Sequence, residues 1–388
     1  MSVSMIGWSH LPFGRHEETV EDMVKTVTNA ALEDAGLEAK DIDIVVIGHF
    51  NGGFQQQDFP SSLPFQAAPG LRFIPSTRVE NACATGSAAI HQAMNAINAG
   101  RARRALVVGV EKMTDTPGPE IGDILLKCAY VREEADTPAG FSGVFGQLTH
   151  RYFQRYGDQS DVLAKIAAKN HANGVANPFA QMRKDLGFQF CNTVSDKNPL
   201  VAGPLRRTDC SLVSDGAAAI ILCANDEAAS ADKAVTFRAA EQVNDFLPMS
   251  ARDMLEMEGP ALAWARAKEA AGITLDDLSV VETHDCFTTA ELLEYEAMGL
   301  TPKGKGRIAI DEGWVQKDGK LPINPSGGLK AKGHPIGATG VSMHIVAAMQ
   351  ALGQAGDMQV DDAELTAVFN MGGTAVANYV SVLEPLKS

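Results

Sequence analysis

Val79-Glu80-Asn81-Ala82-Cys83-Ala84-Thr85-Gly86-Ser87-Ala88-Ala89 is the stretch on which the reading of this chain turns. A short extended run ends at a single cysteine. Small residues then lead into an Ala-rich pattern that predicts a helix as far as Ala99, stopped by Gly100. A cysteine at a strand-to-helix turn lies at the positive end of the helix dipole, beside unpaired backbone N–H groups, and both favour thiolate over thiol. Ala84, Thr85, Gly86 and Ser87 keep bulk away, leaving room for a carbonyl to approach the sulfur. Taken alone, such a cysteine fits a buried, inert turn residue more readily than a nucleophile. The rest of the chain shifts that balance, because it supplies two histidines and a second cysteine in small or glycine-flanked surroundings.

The stretch has an echo. Ala84-Thr85-Gly86 returns as Ala338-Thr339-Gly340, and each copy opens an apolar helical pattern, over residues 87–99 and 341–352. Residues 33–45, a helix end, Gly36 and a buried strand, align without gaps on residues 269–281. A weaker echo pairs the buried strand at 217–223 with residues 374–382. Three echoes in one order indicate a duplicated α/β unit rather than a short-period solenoid. Strands alternating with helices in both copies predict layered sheets with helices on their faces. The expected division is a first half over 1–235 and a second over 236–388. Residues 114–208 have no echo. Residues 111–210, which contain them, hold 12 Lys and Arg against 12 Asp and Glu, so the remainder carries the whole net charge of −15. A neutral insertion at a loop of an acidic protein is compatible with an anionic ligand, and nearly as well with a solvated lobe.

A chain of 388 residues, 45% hydrophobic and 21% charged, has the composition of a globular protein with a large core. Its acidity argues against nucleic-acid or anionic-membrane binding, which need a basic face. The six cysteines form no Cys-x-x-Cys pair, so a structural zinc site or redox motif is not expected. Residues 1–13 do not read as a secretory leader, Leu386-Lys387-Ser388 is not a peroxisomal address, and no apolar run reaches a membrane span. The expectation is a cytoplasmic enzyme.

Two further stretches carry chemistry. Val280-Val281-Glu282 reads as a strand, followed by Thr283-His284-Asp285-Cys286-Phe287 and a helix over 290–298. The carboxyl end of a strand is where open α/β sheets place their sites. Alone, His284 fits a turn histidine and Cys286 a small core filler. The run Asn324-Pro325-Ser326-Gly327-Gly328-Leu329-Lys330-Ala331-Lys332-Gly333-His334-Pro335-Ile336-Gly337 places His334 just before the second Ala-Thr-Gly. The repeat therefore sets Cys83 and His334 at quasi-equivalent turns, facing across a pseudo-twofold axis. A phosphate-cradling loop competes for this run, but it lacks the Gly-Lys-Ser/Thr ending of a P-loop. Phe369-Asn370-Met371-Gly372-Gly373-Thr374 reads as a turn before the last strand.

These motifs together resemble the thiolase family over essentially the whole chain. Asn-Ala-Cys83-Ala-Thr-Gly is similar to the family's nucleophile segment, and Gly333-His334-Pro335 to its Gly-His-Pro motif. His284-Asp285-Cys286-Phe287 stands where most thiolases have Asn-Glu-Ala-Phe, and Asn370-Met371-Gly372 where they have Cys-x-Gly. Both departures resemble the sterol-carrier-protein type. The resemblance implies a thiolase fold, two layered α/β halves with a coenzyme A-binding loop domain at 114–208. It implies Cys83 as acyl-carrying nucleophile, His334 as its base and Cys286 as the acid/base of the second half-reaction. His284 would serve an enolate oxygen, the Cys83 and Gly372 N–H groups an oxyanion hole, and Phe287 the pantetheine channel. Arg183 and Lys184 are expected to face coenzyme A phosphates. Coenzyme A enters as substrate, no metal or resident cofactor is implied, and a homodimer or homotetramer is. A β-ketoacyl synthase, a thiolase-like side-chain aldolase and a non-catalytic lipid-transfer protein stay open.

Overall fold

The internal echoes of the sequence correspond to two matching sets of elements. The computed structural model describes residues 3–387; Met1, Ser2 and Ser388, at the ends read above for address signals, lie outside the described residues. The first half comprises β1 (Val3–His10), α1 (Val20–Asp34), β2 (Ile44–Gly48), β3 (Ser76–Val79), α2 (Thr85–Asn98) and β4 (Arg104–Glu111). The chain then leaves the sheet for α3 (Gly118–Leu126), α4 (Val131–Glu134), α5 (Gly140–Tyr156), α6 (Ser160–Gly174) and α7 (Gly187–Asn192). A small hairpin follows, β5 (Leu200–Ala202) and β6 (Leu205–Arg206), before β7 (Gly216–Ala224) and α8 (Asn225–Ala228). The second half runs β8 (Val235–Asn244), α9 (Glu258–Ala271), β9 (Val280–Glu282), α10 (Thr288–Ala297), α11 (Arg307–Asp311), α12 (Gly328–Lys332), α13 (Ile336–Ala351), β10 (Thr366–Gly372) and β11 (Ala377–Pro385).

Strand order is β3-β2-β4-β7-β1-β8-β11-β10-β9, mixed in direction, with β7 and β11 antiparallel to their neighbours. Read from the centre outwards, β1 corresponds to β8, β7 to β11, β4 to β10 and β2 to β9. A parallel bridge from Val281 to Ile323 stands where β3 pairs with β2. Within the sheet, among the described residues, β1 and β8 join the halves through two residue pairs, Ser4 with Thr236 and Met5 with Val235. On β4, Ala105 and Val107 pack in the cluster that contains α2, whereas Leu106, Val108 and Val110 pack with α1. That alternation is the strand period at work, and it puts helices on both faces.

Helices α2 and α13 pack on each other between the halves. Every residue of α13 except Met349 is buried, as expected for a helix that is apolar all round. It starts at Ile336, five residues earlier than the sequence pattern suggested. Pro335 presets the entry, and the buried Glu111 carboxylate accepts the Gly337 N–H at 3.1 Å, capping the helix from inside. The repeated Ala-Thr-Gly marks the helix crossing. A Cβ on Gly86 would lie 2.7 Å from the Val341 nitrogen and 2.8 Å from that of Gly340. Only glycine allows the two helices to approach this closely. Among the described residues no helix is long and apolar enough to cross a membrane.

Candidate active site

Cys83 lies between β3 and α2, in a turn that local side chains hold shut. Ala82 takes a left-handed φ of 49°, the Thr85 hydroxyl accepts the Asn81 N–H at 2.8 Å, and Asn81 Nδ2 donates to Tyr379 Oη at 2.7 Å. Gly372, at the end of β10, runs against this turn: a Cβ there would lie 3.3 Å from the Ala84 nitrogen. Asn370 and Gly372 belong to β10, and the turn is residues 373–376, so the last strand starts at Ala377 rather than near 374. The antiparallel register with β11 extends to Gly372, which is why these residues are strand.

His334 follows Gly333, whose φ is 112°, and precedes α13. The Ser214 hydroxyl accepts its N–H at 3.0 Å. The Thr339 hydroxyl donates to Pro335 O at 2.9 Å, and its oxygen stands 2.7 Å from His334 Nδ1. His284 follows β9, its Nδ1 2.8 Å from Asn370 Nδ2. The two imidazoles meet edge to face with centroids 5.1 Å apart. One ligating-type atom each from Cys83, His284 and His334 lie within 4.8 Å of one another, all on buried residues. The expected approach of Cys83 and His334 across the pseudo-twofold axis is therefore met in the geometry.

Cys286 and Phe287 complete the wall. A bridge from Cys210 to Phe287 and the Ser211 N–H to Cys286 O bond at 2.9 Å tie this turn to the chain returning from the loop domain. Phe287 stacks on Phe145 of α5 at 4.3 Å. Cys83, Cys286, Phe287, His334 and Ile336 line a mainly apolar cavity of about 290 Å³ together with residues of the loop domain, among them Ile121, Leu125 and Phe141. Ala139 and Val201 are shared with an adjoining cleft that presents Gln147, His150, Arg151 and Gln154. Arg183 and Lys184 line neither space. Both are exposed, and Arg183 Nε donates to Val175 O at 3.1 Å, on the α6 side of the lobe.

The electrostatics assign different states to the two cysteines. Cys83 is held well below the ordinary thiol range, most of all by a hydrogen bond from the Cys128 thiol; burial opposes this, and His284 and His334 add to it. Cys128 is pushed up in turn by Cys83 and by its own burial. The helix start was the expected cause, and Cys128, which follows α3, had no assigned role. Cys286 is shifted the other way. Burial, then the charges of Cys83, Glu294 and Asp285, push it well above the thiol range. His284 is lowered to about 4 by burial, so no imidazolium stands beside Cys286 to favour its thiolate. Cys83 is thus biased towards the thiolate and Cys286 towards the thiol.

Behind the site lies a network of buried charge that the sequence reading missed. Asp285 accepts the Leu329 N–H at 2.6 Å, the Lys330 N–H at 3.1 Å and Asn170 Nδ2 at 2.8 Å. Lys169 pairs with Glu291 at 2.9 Å. Together they clamp the 283–287 turn to α12 and to α6 of the loop domain. A buried charge that loses its partner is strongly destabilising, so the clamp resists opening.

Comparison with known proteins agrees with this geometry. Residues 3–226 match the family model "Thiolase, N-terminal domain", and residues 240–385 match "Thiolase C-terminal domain-like". The chain is 37% identical to an acetyl-CoA acetyltransferase of Methanothermobacter thermautotrophicus over 378 residues, 96% of each chain. It is 32% identical to sterol carrier protein 2 of Homo sapiens over 382 residues, 93% of this chain and 67% of that protein. Two solved structures share the fold. One is titled "Ltp2-ChsH2(DUF35) aldolase", with a TM-score of 0.83, 20% identity and coverage of 100% of this chain and 98% of that one. The other is an acetyl-CoA acetyltransferase from Syntrophomonas wolfei, with a TM-score of 0.74, 18% identity and coverage of 99% and 98%. With both family models matched across the two halves, the chain belongs to the thiolase family.

Proposed function

We propose that this protein is an acyl-CoA C-acyltransferase that makes or cleaves 3-ketoacyl-CoA through an acyl group carried on Cys83. The observation that carries the reading is the convergence of Cys83, His284 and His334, with Cys83 and His334 lining a mainly apolar cavity. In the cleavage direction the Cys83 sulfur attacks the 3-keto carbon, and the C2–C3 bond breaks to leave the enolate of the shorter acyl-CoA. Cys286, protonated at rest, gives its proton to C2 of that enolate while His284 serves the enolate oxygen. The Cys286 thiolate then takes the proton of incoming coenzyme A, whose sulfur attacks the acyl-Cys83 thioester and releases the new acyl-CoA. Cys83 leaves that thioester as the thiolate that starts the next turnover, and His334 is assigned as the base that takes the proton whenever the Cys83 sulfur is protonated before attack. The backbone N–H groups of Cys83 and Gly372 are assigned to the tetrahedral oxyanion, and Phe287 to the pantetheine channel. Mass spectrometry after exposure to acetoacetyl-CoA should find an acetyl group on the Cys83 peptide, absent in Cys83→Ala. An acetyl group on Cys286 that survives Cys83→Ala would reverse the assignment.

A further inference from the structure

The two converging histidines are held in opposite tautomers, and Asn370 sets one of them. Its amide nitrogen lies 3.2 Å from the backbone oxygen of Cys83, an atom that can only accept. That fixes which end of the amide is nitrogen. The same nitrogen lies 2.8 Å from His284 Nδ1, so Nδ1 must accept and the imidazole proton sits on Nε2. The Ser87 hydroxyl, donating to Asn370 Oδ1 at 2.7 Å, holds the amide against flipping. His334 is the converse case. Its Nδ1–H goes to Thr339 Oγ1, leaving a lone pair on Nε2. Both Nε2 atoms are buried without a partner, and both face the Cys83 sulfur.

A sulfur and two imidazole nitrogens with an open fourth position form the donor set of a three-ligand zinc site. Such a site needs lone pairs on both nitrogens, and here one nitrogen carries a proton. We propose that Asn370 is a positioning residue that keeps His284 an N–H donor. It thereby makes the Cys83–His284–His334 cluster a site for a developing enolate oxygen instead of a zinc site. The enolate half of this statement rests on the function proposed above; the tautomer and metal halves do not. Asn370→Asp inverts the arrangement. A carboxylate would accept a hydrogen bond from His284 Nδ1–H, turn the Nε2 lone pair towards Cys83 and build the carboxylate–histidine support common around zinc.

Three measurements test this. In wild-type protein with isotope-labelled histidine, NMR should report His284 as the Nε2–H tautomer; the Nδ1–H tautomer would overturn the proposal without any variant. Asn370→Asp should bind Co²⁺ alone about 10–100-fold more tightly than wild type, the usual scale of such support. The complex should show a thiolate-to-cobalt absorption band that disappears when Cys83→Ala is added. The same variant should exchange the α-protons of acetyl-CoA about 10²–10³-fold more slowly, the scale for losing one oxyanion donor. In a His284→Ala background that further loss should shrink to below about threefold, since the group Asn370 acts on is gone. A folded Asn370→Asp with unchanged cobalt affinity, or with the same loss whether His284 is present or not, would make Asn370 merely structural. If wild type fails to acylate Cys83, the proposed function falls, while the tautomer and cobalt results still decide the role of Asn370.

Discussion

Cys83 and Cys128 show why a residue's place in the sequence does not fix its chemistry. The turn, the small neighbours and the helix start around Cys83 are local, so the residue was legible as a nucleophile candidate. The thiol that most lowers its pKa arrives from the end of α3, with no spacing pattern linking the two. Cys286 fails the other way: its position at a strand end was legible, but its protonation depends on Glu294, Asp285 and burial, all set by packing. The pair gives a direct experiment. A hydrogen bond to a charged group is worth about 1.5–3 kcal/mol, or about one to two pKa units. Cys128→Ala removes that bond and leaves burial unopposed by the largest stabilising contact. The acidic limb of Cys83 alkylation by iodoacetamide should then move up by about one to two pH units. Because only the thiolate reacts, labelling on that acidic limb should slow markedly, while labelling well above the new pKa stays the same. An unmoved limb would assign the low pKa to the two histidines instead.

At the level of elements, repetition made the fold readable, and the loop domain did not repeat. The helix ends and strands of residues 33–45 and 269–281 fall on α1–β2 and α9–β9 as aligned. The repeated Ala-Thr-Gly proved to be packing as much as chemistry, since Gly86 and Gly340 are where α2 and α13 touch. Gly86→Ala should therefore act as overpacking. A methyl 2.7 Å from the Val341 nitrogen must push the helices apart, at about 1–3 kcal/mol, read as a lower urea midpoint with an unchanged slope. An unchanged midpoint would show that the crossing yields freely. The loop domain offered only composition, and composition does not say which basic side chains face the cavity. It suggested Arg183 and Lys184, whereas the cleft adjoining the cavity presents Arg151 and His150 of α5. Arg151→Glu should raise KM for coenzyme A thioesters about threefold to tenfold at low salt with kcat unchanged, the scale of one exposed charge contact. Arg183→Glu should leave KM alone; the reverse outcome would restore the sequence expectation.

For the whole molecule, the duplication explains the burial that its chemistry then has to tolerate. Two halves closing on α2 and α13 leave an interior deep enough to strip water from histidines, and a sequence shows residue types without showing depth. His10, His91 and His171 are lowered to about 3, and His284 and His344 to about 4, each mainly by burial. In the unfolded chain these five take up protons below about pH 6.5. In the fold they do not until about pH 3–4, so between those limits the unfolded state binds more protons. Stability therefore falls as pH falls through that window, by up to about 1.4 kcal/mol per pH unit for each histidine. Glu282, Asp285 and Glu294 act in opposition, because burial raises all three and lets them hold protons that the unfolded chain has released. Five histidines against three acids leave the sign with the histidines. At the alkaline end, Cys191 is raised to about 11 and Cys210 and Cys223 to about 12. There the unfolded chain loses protons above about pH 8.5 while the fold keeps them, so stability falls again as pH rises. The urea midpoint should accordingly be highest between about pH 6.5 and 8.5, dropping steeply from pH 6.5 to 5 and again above pH 9. A midpoint that holds or rises on going from pH 7 to 5 would mean that the buried acids, and not the histidines, set the acid response of this fold.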